Sequence, residues 1–341
     1  MHRLLLAALL VVTTDAYSQK DLALDTFRIK INSSLRGLSV VNDQIIWLSG
    51  NNGYVCRSLD GGQTFDTLRI PGFHDKDFRD IEAFDDRNAV VMAVGSPAIF
   101  LRTSDGGQRW KLVYKNEHKN AFFNGMDFWD EKRGLAFGDA IDGKLVVIRT
   151  EDGGRSWKEV GFKDLPIAQE GENGFAASGT SIRCVKDGYA FIASGGRSAH
   201  LFTSSDYGKS WKKNSAPIKR GKASSGIFSI AFKDSRTGVI TGGDYQAEND
   251  STDNCFLTFN AGRSWKAPLS LPGGYRSCIE YISQTSMIIT GPNGTEWSRD
   301  GGNNWKKVSD TGFHTVRKAI KGNAIFLSGN DGLFGVISGF K

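Results

Sequence analysis

The sequence predicts an all-β chain: a seven-bladed β-propeller of four-stranded antiparallel blades, closed by an N-terminal strand that completes the last blade. Three observations predict it. An eight-residue phrase recurs six times, its copies stand 40 to 54 residues apart, and the sixth is followed by three alternating segments with no seventh phrase. Repeats of roughly 40–50 residues belong to solenoids, propellers and arrays. The mean interval is about 48 residues, and the stretch from Gln19 to Lys341 holds about seven such units. Composition agrees. The chain is 39% hydrophobic with 22 Phe, enough for a large core, and its 41 Gly follow no three-residue period, which excludes collagen.

The first element is an address. Met1-His2-Arg3 is a basic start, Leu4–Val12 is an unbroken apolar run, and polar Thr13-Thr14-Asp15 follow. That order is a secretory signal peptide, and the run is too short to cross a bilayer as a helix. Residues 1–18 are expected to be removed before Gln19, with cleavage after Ala16 as the alternative. The leader holds no Cys for a lipid anchor, and no later stretch approaches the roughly 20 apolar residues of a membrane span. The expected product is a secreted or periplasmic monomer, residues 19–341, forming one propeller.

Thr26–Asn32 reads as the strand that closes the ring from the N-terminal side. The inner strands of the first six blades then begin near Arg36, Phe78, Phe122, Thr180, Ile227 and Tyr275. Each blade carries one phrase: Ser58–Phe65, Thr103–Trp110, Thr150–Trp157, Ser204–Trp211, Thr258–Trp265 and Ser298–Trp305. In each, Ser or Thr is followed by Asp or Asn two residues on, Gly four on, and Trp or Phe seven on. This is a hairpin between third and fourth strands. The acidic side chain accepts backbone N–H bonds from just ahead, Gly takes the reversal, and the aromatic residue buries a face on the neighbouring repeat. Departures are Phe65, Asn260, and Arg109 and Asn304 where a hydroxyl is usual. The last blade follows as Phe313–Ile320, Ala324–Ser328 and Leu333–Ser338, its fourth strand supplied by the N-terminus.

Six such phrases in register match the Asp-box, or BNR, repeat of sialidases and related propellers. With this closure the chain resembles the photosystem II stability and assembly factor family and its non-photosynthetic bacterial relatives, over nearly all of residues 19–341. The resemblance implies the fold and a binding role, possession of a partner's identity not included.

Several function classes lose support. Cys56, Cys184, Cys255 and Cys278 lie far apart without CxxC spacing, and His2, His74, His118, His200 and His314 show no ligand spacing, so no metal is expected. The cysteines read as small buried hydrophobes, a Cys255–Cys278 bridge being the alternative. Formal net charge is +6. Lys111, Lys158, Lys212, Lys266 and Lys306, each following its Trp, nearly account for it as edge-strand lysines that discourage foreign pairing, so nucleic acid is not expected. No GxGxxG opens a helix and no GxSxG occurs, so no nucleotide cofactor or hydrolase triad is expected.

The functional face is expected opposite the phrases, where inner strands begin. There stand Arg36, Arg79, Asp80, Asn124, Arg183, Arg276, Ser277, Glu280, His314 and Arg317. Arginines around one axis would offer forks to carboxylates or an acidic peptide, with Arg79, Arg183 and Arg276 as the core of the site. The competing reading is that each satisfies neighbouring carbonyls or a local acid. Three long loops, 161–179, 214–226 and 242–254, should reach the same face. The last brings Asp244, Tyr245 and Glu248, and lacks the DxDxDG order of an EF-hand, so it reads as solvated rather than calcium-binding. The candidate ligand-binding set is Arg79, Asp80, Arg183, Asp244, Tyr245, Arg276 and His314.

Two functions remain open. The first is a non-catalytic binding scaffold for a protein or peptide with acidic groups, serving as an assembly or stability factor. The alternative is a sialidase-like or other carbohydrate-active glycoside hydrolase taking a glycan. Phe27-Arg28-Ile29-Lys30 resembles the Phe-Arg-Ile-Pro motif of sialidases, with Lys30 in place of Pro. An axial Arg28 would favour the hydrolase, and a rim Arg28 the scaffold. For the leader, N-terminal sequencing of the exported protein is expected to begin at Gln19; a chain retaining Met1 would refute the signal.

Overall fold

The computed structural model describes residues 22–340. The leader and its cleavage site therefore lie outside the described residues. Seven antiparallel sheets form a ring. Blade 1 comprises Leu35–Val40, Ile46–Gly50, Tyr54–Ser58 and Asp66–Arg69, from axis to rim. Blades 2, 3, 4 and 6 repeat the plan, with inner strands Phe78–Ala83, Phe123–Phe128, Ile182–Val185 and Cys278–Tyr281. Blade 5 starts with Ser225–Phe232, and blade 7 with Thr315–Lys318. No helix among the described residues is long and apolar enough to cross a membrane.

Blade 5 departs from the plan. Its outer strand shrinks to one bridge, Leu257 with Lys266. Pro268 follows two residues later and has no N–H to extend the ladder. The phrase lysines are otherwise where the repeat puts them: Lys111, Lys158, Lys212 and Lys306 begin exposed rim strands.

The turns explain why the deviant phrases still work. In the standard case, Asp152 Oδ1 accepts the Ser156 N–H at 2.9 Å and Oδ2 accepts the Ser156 hydroxyl at 2.7 Å. The Thr150 hydroxyl accepts the Gly154 N–H at 2.9 Å. Arg109 replaces the second bond with Nε to Asp105 at 2.9 Å, and Asn304 does so with Nδ2 to Asp300 at 2.7 Å. Asn260 reverses the polarity, its Nδ2 donating to the Ser264 hydroxyl at 2.8 Å. Substitution changes the donor and keeps the bond.

Closure is as expected in kind. The N-terminal strand runs Ala23–Arg28, slightly earlier than the predicted Thr26–Asn32, and pairs antiparallel with Leu333–Ser338. It starts earlier because Ala23 already pairs with Ser338, and it ends where the Ile29 N–H turns to the Gly332 carbonyl. Phe334, fully buried, sits at the seam with ring centroids 5.3 Å from Phe27, 5.0 Å from Phe65 and 5.5 Å from Phe326. The Phe of the first phrase thus packs on blade 7, as Trp110 of the second packs on Trp47 of blade 1. Phe334→Ala removes the centre of this cluster. The expected loss is about 3–5 kcal/mol in denaturant unfolding; a loss below about 1 kcal/mol would show that the seam does not depend on it.

Candidate functional site

The inner strands of blades 1, 2, 3 and 5 share one irregularity. Each shifts register across a single residue near its start: Arg36, Arg79, Asn124 and Phe228. A bulge adds one residue and re-aims its side chain. Three of these four, Arg36, Arg79 and Phe228, line a cavity of about 540 Å³ at the upper mouth of the ring, opposite the phrase turns. Phe175, Tyr245, Tyr275, Glu248 and His314 also line it.

The floor of this cavity is the chain's own segment 174–180, from the long connection between blades 3 and 4. It crosses the axis and is bound from around the ring. Arg36 donates to the Ala177 carbonyl at 3.0 Å, Arg79 to Ala176 in a longer 3.4 Å contact, and Arg317 to Ser178 at 2.9 Å. The Ser178 hydroxyl donates to the Ser277 carbonyl at 2.8 Å, and the Thr180 and Ser229 hydroxyls lie 2.6 Å apart. Gly179 has φ +70°, and a Cβ there would come within 2.3 Å of the Asp80 carboxylate, so glycine is required at that crossing. The connection is anchored by buried Glu172, whose carboxylate takes His200 Nδ1 at 2.8 Å and also bonds the Ser194 hydroxyl.

The predicted site residues divide. Arg79, Tyr245 and His314 meet at the upper mouth. Asp80, Arg183, Asp244 and Arg276 do not line it, each being held elsewhere. Asp80 is fully buried, accepting N–H bonds from Met126 at 2.7 Å and Ile81 at 2.9 Å; burial pushes its pKa up to about 7, against the pull of Arg317. Arg183 pairs with Glu280 at 2.5 Å and donates to the Ile230 carbonyl at 3.2 Å. Burial works against its charge, but Glu280 and Asp127 hold it on. Arg276 is 1% exposed and locked onto Glu296 at 2.9 Å and 3.1 Å. Asp244 is buried against Lys222 at 3.2 Å. Of the expected arginine trio, only Arg79 reaches the mouth. The other two follow the competing reading, an arginine satisfied by a local acid.

Arg36, Phe175, Phe228 and Tyr275, outside the candidate set, complete the mouth around His314. Arg36 stands beside Arg79, and both burial and the Arg79 charge lower its pKa. His314 is pushed down to about 3 by burial and by the charges of Arg36 and Arg79, so its ring is neutral. Its Nε2 lies 2.8 Å from both the Ser34 hydroxyl and Asn330 Oδ1. Across the cavity, Phe228 stacks on Phe175 at 3.8 Å and meets Tyr275 edge-on at 4.7 Å. The available signal was the triplet of an apolar residue, the bulged residue and a small or polar one: Leu35-Arg36-Gly37, Phe78-Arg79-Asp80 and Ile227-Phe228-Ser229.

Other expectations resolve plainly. Arg28 lies exposed on the outermost strand of blade 7, bonded to the carbonyls of Asn330 and Asp331 at 3.1 Å and 3.0 Å, not at the axis. Cys255 and Cys278 are unbridged; Cys278 faces the channel, accepting from the Val316 N–H at 3.3 Å and Arg317 at 3.4 Å. Loop 214–226 lends Lys222 and Lys219 to Asp244 and Asp250 rather than lining the cavity. The lower mouth opens on a separate cavity of about 1010 Å³ that contains none of the predicted site residues.

Asp139 ties the crossing segment to blade 3. Its Oδ1 accepts from Asn124 Nδ2 at 2.8 Å and the Gly174 N–H at 3.2 Å, while burial pushes its pKa up to about 6. A carboxyl whose folded pKa exceeds its unfolded one stabilises the fold fully below about pH 4 and loses that contribution as pH rises through 6. The loss is on the order of 2 kcal/mol. Asp139→Asn keeps one oxygen acceptor and removes the ionisation. Urea midpoints at pH 4.5 and 7.5 should differ less in the variant than in the parent; an unchanged difference would show that Asp139 carries no such share.

The comparisons fall into place on this geometry. Residues 16–118 match the model of a family described as photosynthesis system II assembly factor YCF48. No curated protein matches the chain in sequence. A structure of YCF48 bound to D1 peptide is similar over 92% of this chain and 96% of its own, with 16% identity and a TM-score of 0.66. YCF48 from Cyanidioschyzon merolae is similar over 92% and 98%, with 17% identity and a TM-score of 0.64. The Neurospora crassa Pan2 WD40 domain reaches a TM-score of 0.61 at 13% identity, over 91% of this chain and 90% of its own. At such identities the likeness carries the fold alone. The chain is a seven-bladed BNR propeller that resembles the YCF48 photosystem II assembly factors.

Proposed function

We propose that this chain is an exported, non-catalytic scaffold, acting as a monomer, that binds a protein or peptide bearing acidic groups at its upper mouth. An assembly or stability role fits that reading. The observation that carries it is the charge state of the mouth. Arg36 meets only a backbone carbonyl, and Arg79 shares its fork between Asp77 and a carbonyl. Neutral carbonyls satisfy N–H donors without cancelling charge, so Arg36 keeps its positive field on one side of a concave, partly aromatic recess that exposed Glu248 also lines. The YCF48 structure of similar fold holds a D1 peptide, which supports a peptide as the class of partner.

The hydrolase reading lacks comparable support. Arg28 is at the rim, and the buried acids Glu172 and Asp244 are held by His200 and Lys222. The test is fluorescence polarisation with labelled ten-residue peptides rich in Asp and Glu, against the same peptides carrying Asn and Gln. The acidic set is expected to bind at least about ten-fold more tightly, weakening as salt rises. Tyr245→Ala should reduce binding without changing the melting temperature. Equal binding of both sets, or release of sugar from a glycan panel, would overturn the proposal.

A further inference from the structure

The upper mouth has two chemically different sides. Arg36, Arg79 and His314 stand on the side of blades 1, 2 and 7; Phe175, Phe228 and Tyr275 stand opposite, on the crossing segment and blades 5 and 6. Two donors near their boundary are left over. A guanidinium carries five N–H groups, and Arg36 uses one, toward Ala177; its neighbouring acid Asp77 is bonded to Arg79 instead. Tyr275 is only 7% exposed, lines the cavity, and its hydroxyl makes no hydrogen bond among the described residues. The Arg36 charge acts on that hydroxyl. Both donors face the open recess, Arg36 half-buried, so they stand free to be shared by an acceptor that enters it.

We infer that Arg36 and Tyr275 together form a receptor for one carboxylate, and that Phe228 and Tyr245 hold an apolar or aromatic side chain next to it. This rests on the upper mouth being the partner face proposed above. The ligand class is therefore narrower than an acidic peptide: an acid group with an apolar side chain on the same or the adjoining residue. The chemistry follows from the donors. A carboxylate accepts the guanidinium N–H and phenol O–H in one step, both bonds being charge-assisted. Phe228 is already wedged between Phe175 and Tyr275, with Tyr245 edge-on at 6.1 Å, so the apolar wall is fixed before a ligand arrives. Tyr245, 45% exposed, is the ring a ligand would cover.

The probe is N-acetyl-L-phenylalaninate, titrated by ligand-observed NMR against its carboxamide and against acetate. The acid is expected to bind about ten-fold more tightly than either. Arg36→Gln and Tyr275→Phe should each weaken acid binding about five-fold or more while leaving amide binding unchanged, and Tyr275→Phe should also leave the melting temperature unchanged. Tyr275→Phe keeps the ring, so its effect reads the hydroxyl alone. Equal binding of acid and amide, equal binding of acetate, no binding of the acid by folded protein, or variants that bind like the parent would overturn the receptor. Acidic peptides bound by a protein that ignores the probe would sink this inference and leave the broader function standing. Failure of the peptides alone would sink the broader one.

Discussion

A ring of sheets has one seam, and every radial position depends on it. Six of the seven junctions join consecutive stretches of chain. The seventh must be made by residues some three hundred positions apart, Ala23–Arg28 against Leu333–Ser338. Backbone pairing alone is weak insurance, because each hydrogen bond replaces one to water. The apolar cluster around Phe334 supplies the burial that makes the pairing cooperative. The upper rim is tied at the same place: Ser34, just ahead of blade 1, meets His314 of blade 7. With the seam closed, seven inner strands converge, and side chains from distant repeats share one recess.

Convergence alone does not decide which arginines matter; the identity of each acceptor does. Arg183 and Arg276 face carboxylates at hydrogen-bonding distance, and their charge is spent locally. Arg36 faces a carbonyl dipole and retains its field. Geometry adds a second filter. The bulge lifts Arg36 and Arg79 out of the alternation that would otherwise turn them into the blade interior or the channel.

Much of the fold was legible because the repeat is written in turn chemistry, which is local. The side chain at Asp152 meets Ser156 four residues away, and nothing distant is needed to interpret it. The phenylalanine count, the phrase spacing and the three unclaimed segments at the end then imply a closed ring. The site was legible only in part. Arg79, Tyr245 and His314 stand at the upper mouth because strand order fixes which end of a blade they occupy. Arg276 does not, since its partner Glu296 is two strands away in the same sheet and side-chain direction there depends on register. The filling of the axis by 174–180 left almost no trace in sequence. Its bonds join small residues and backbone carbonyls to six blades, and neither kind of group announces a distant partner.

That central crossing limits how such a molecule could be rebuilt. Propeller repeats are often regarded as interchangeable modules that could be deleted, duplicated or transplanted one at a time. Here the hub comes from one inter-repeat linker and is gripped by the rest of the wheel. Exchanging any single sector would disturb the recess formed by all of them, so the recess is inherited whole.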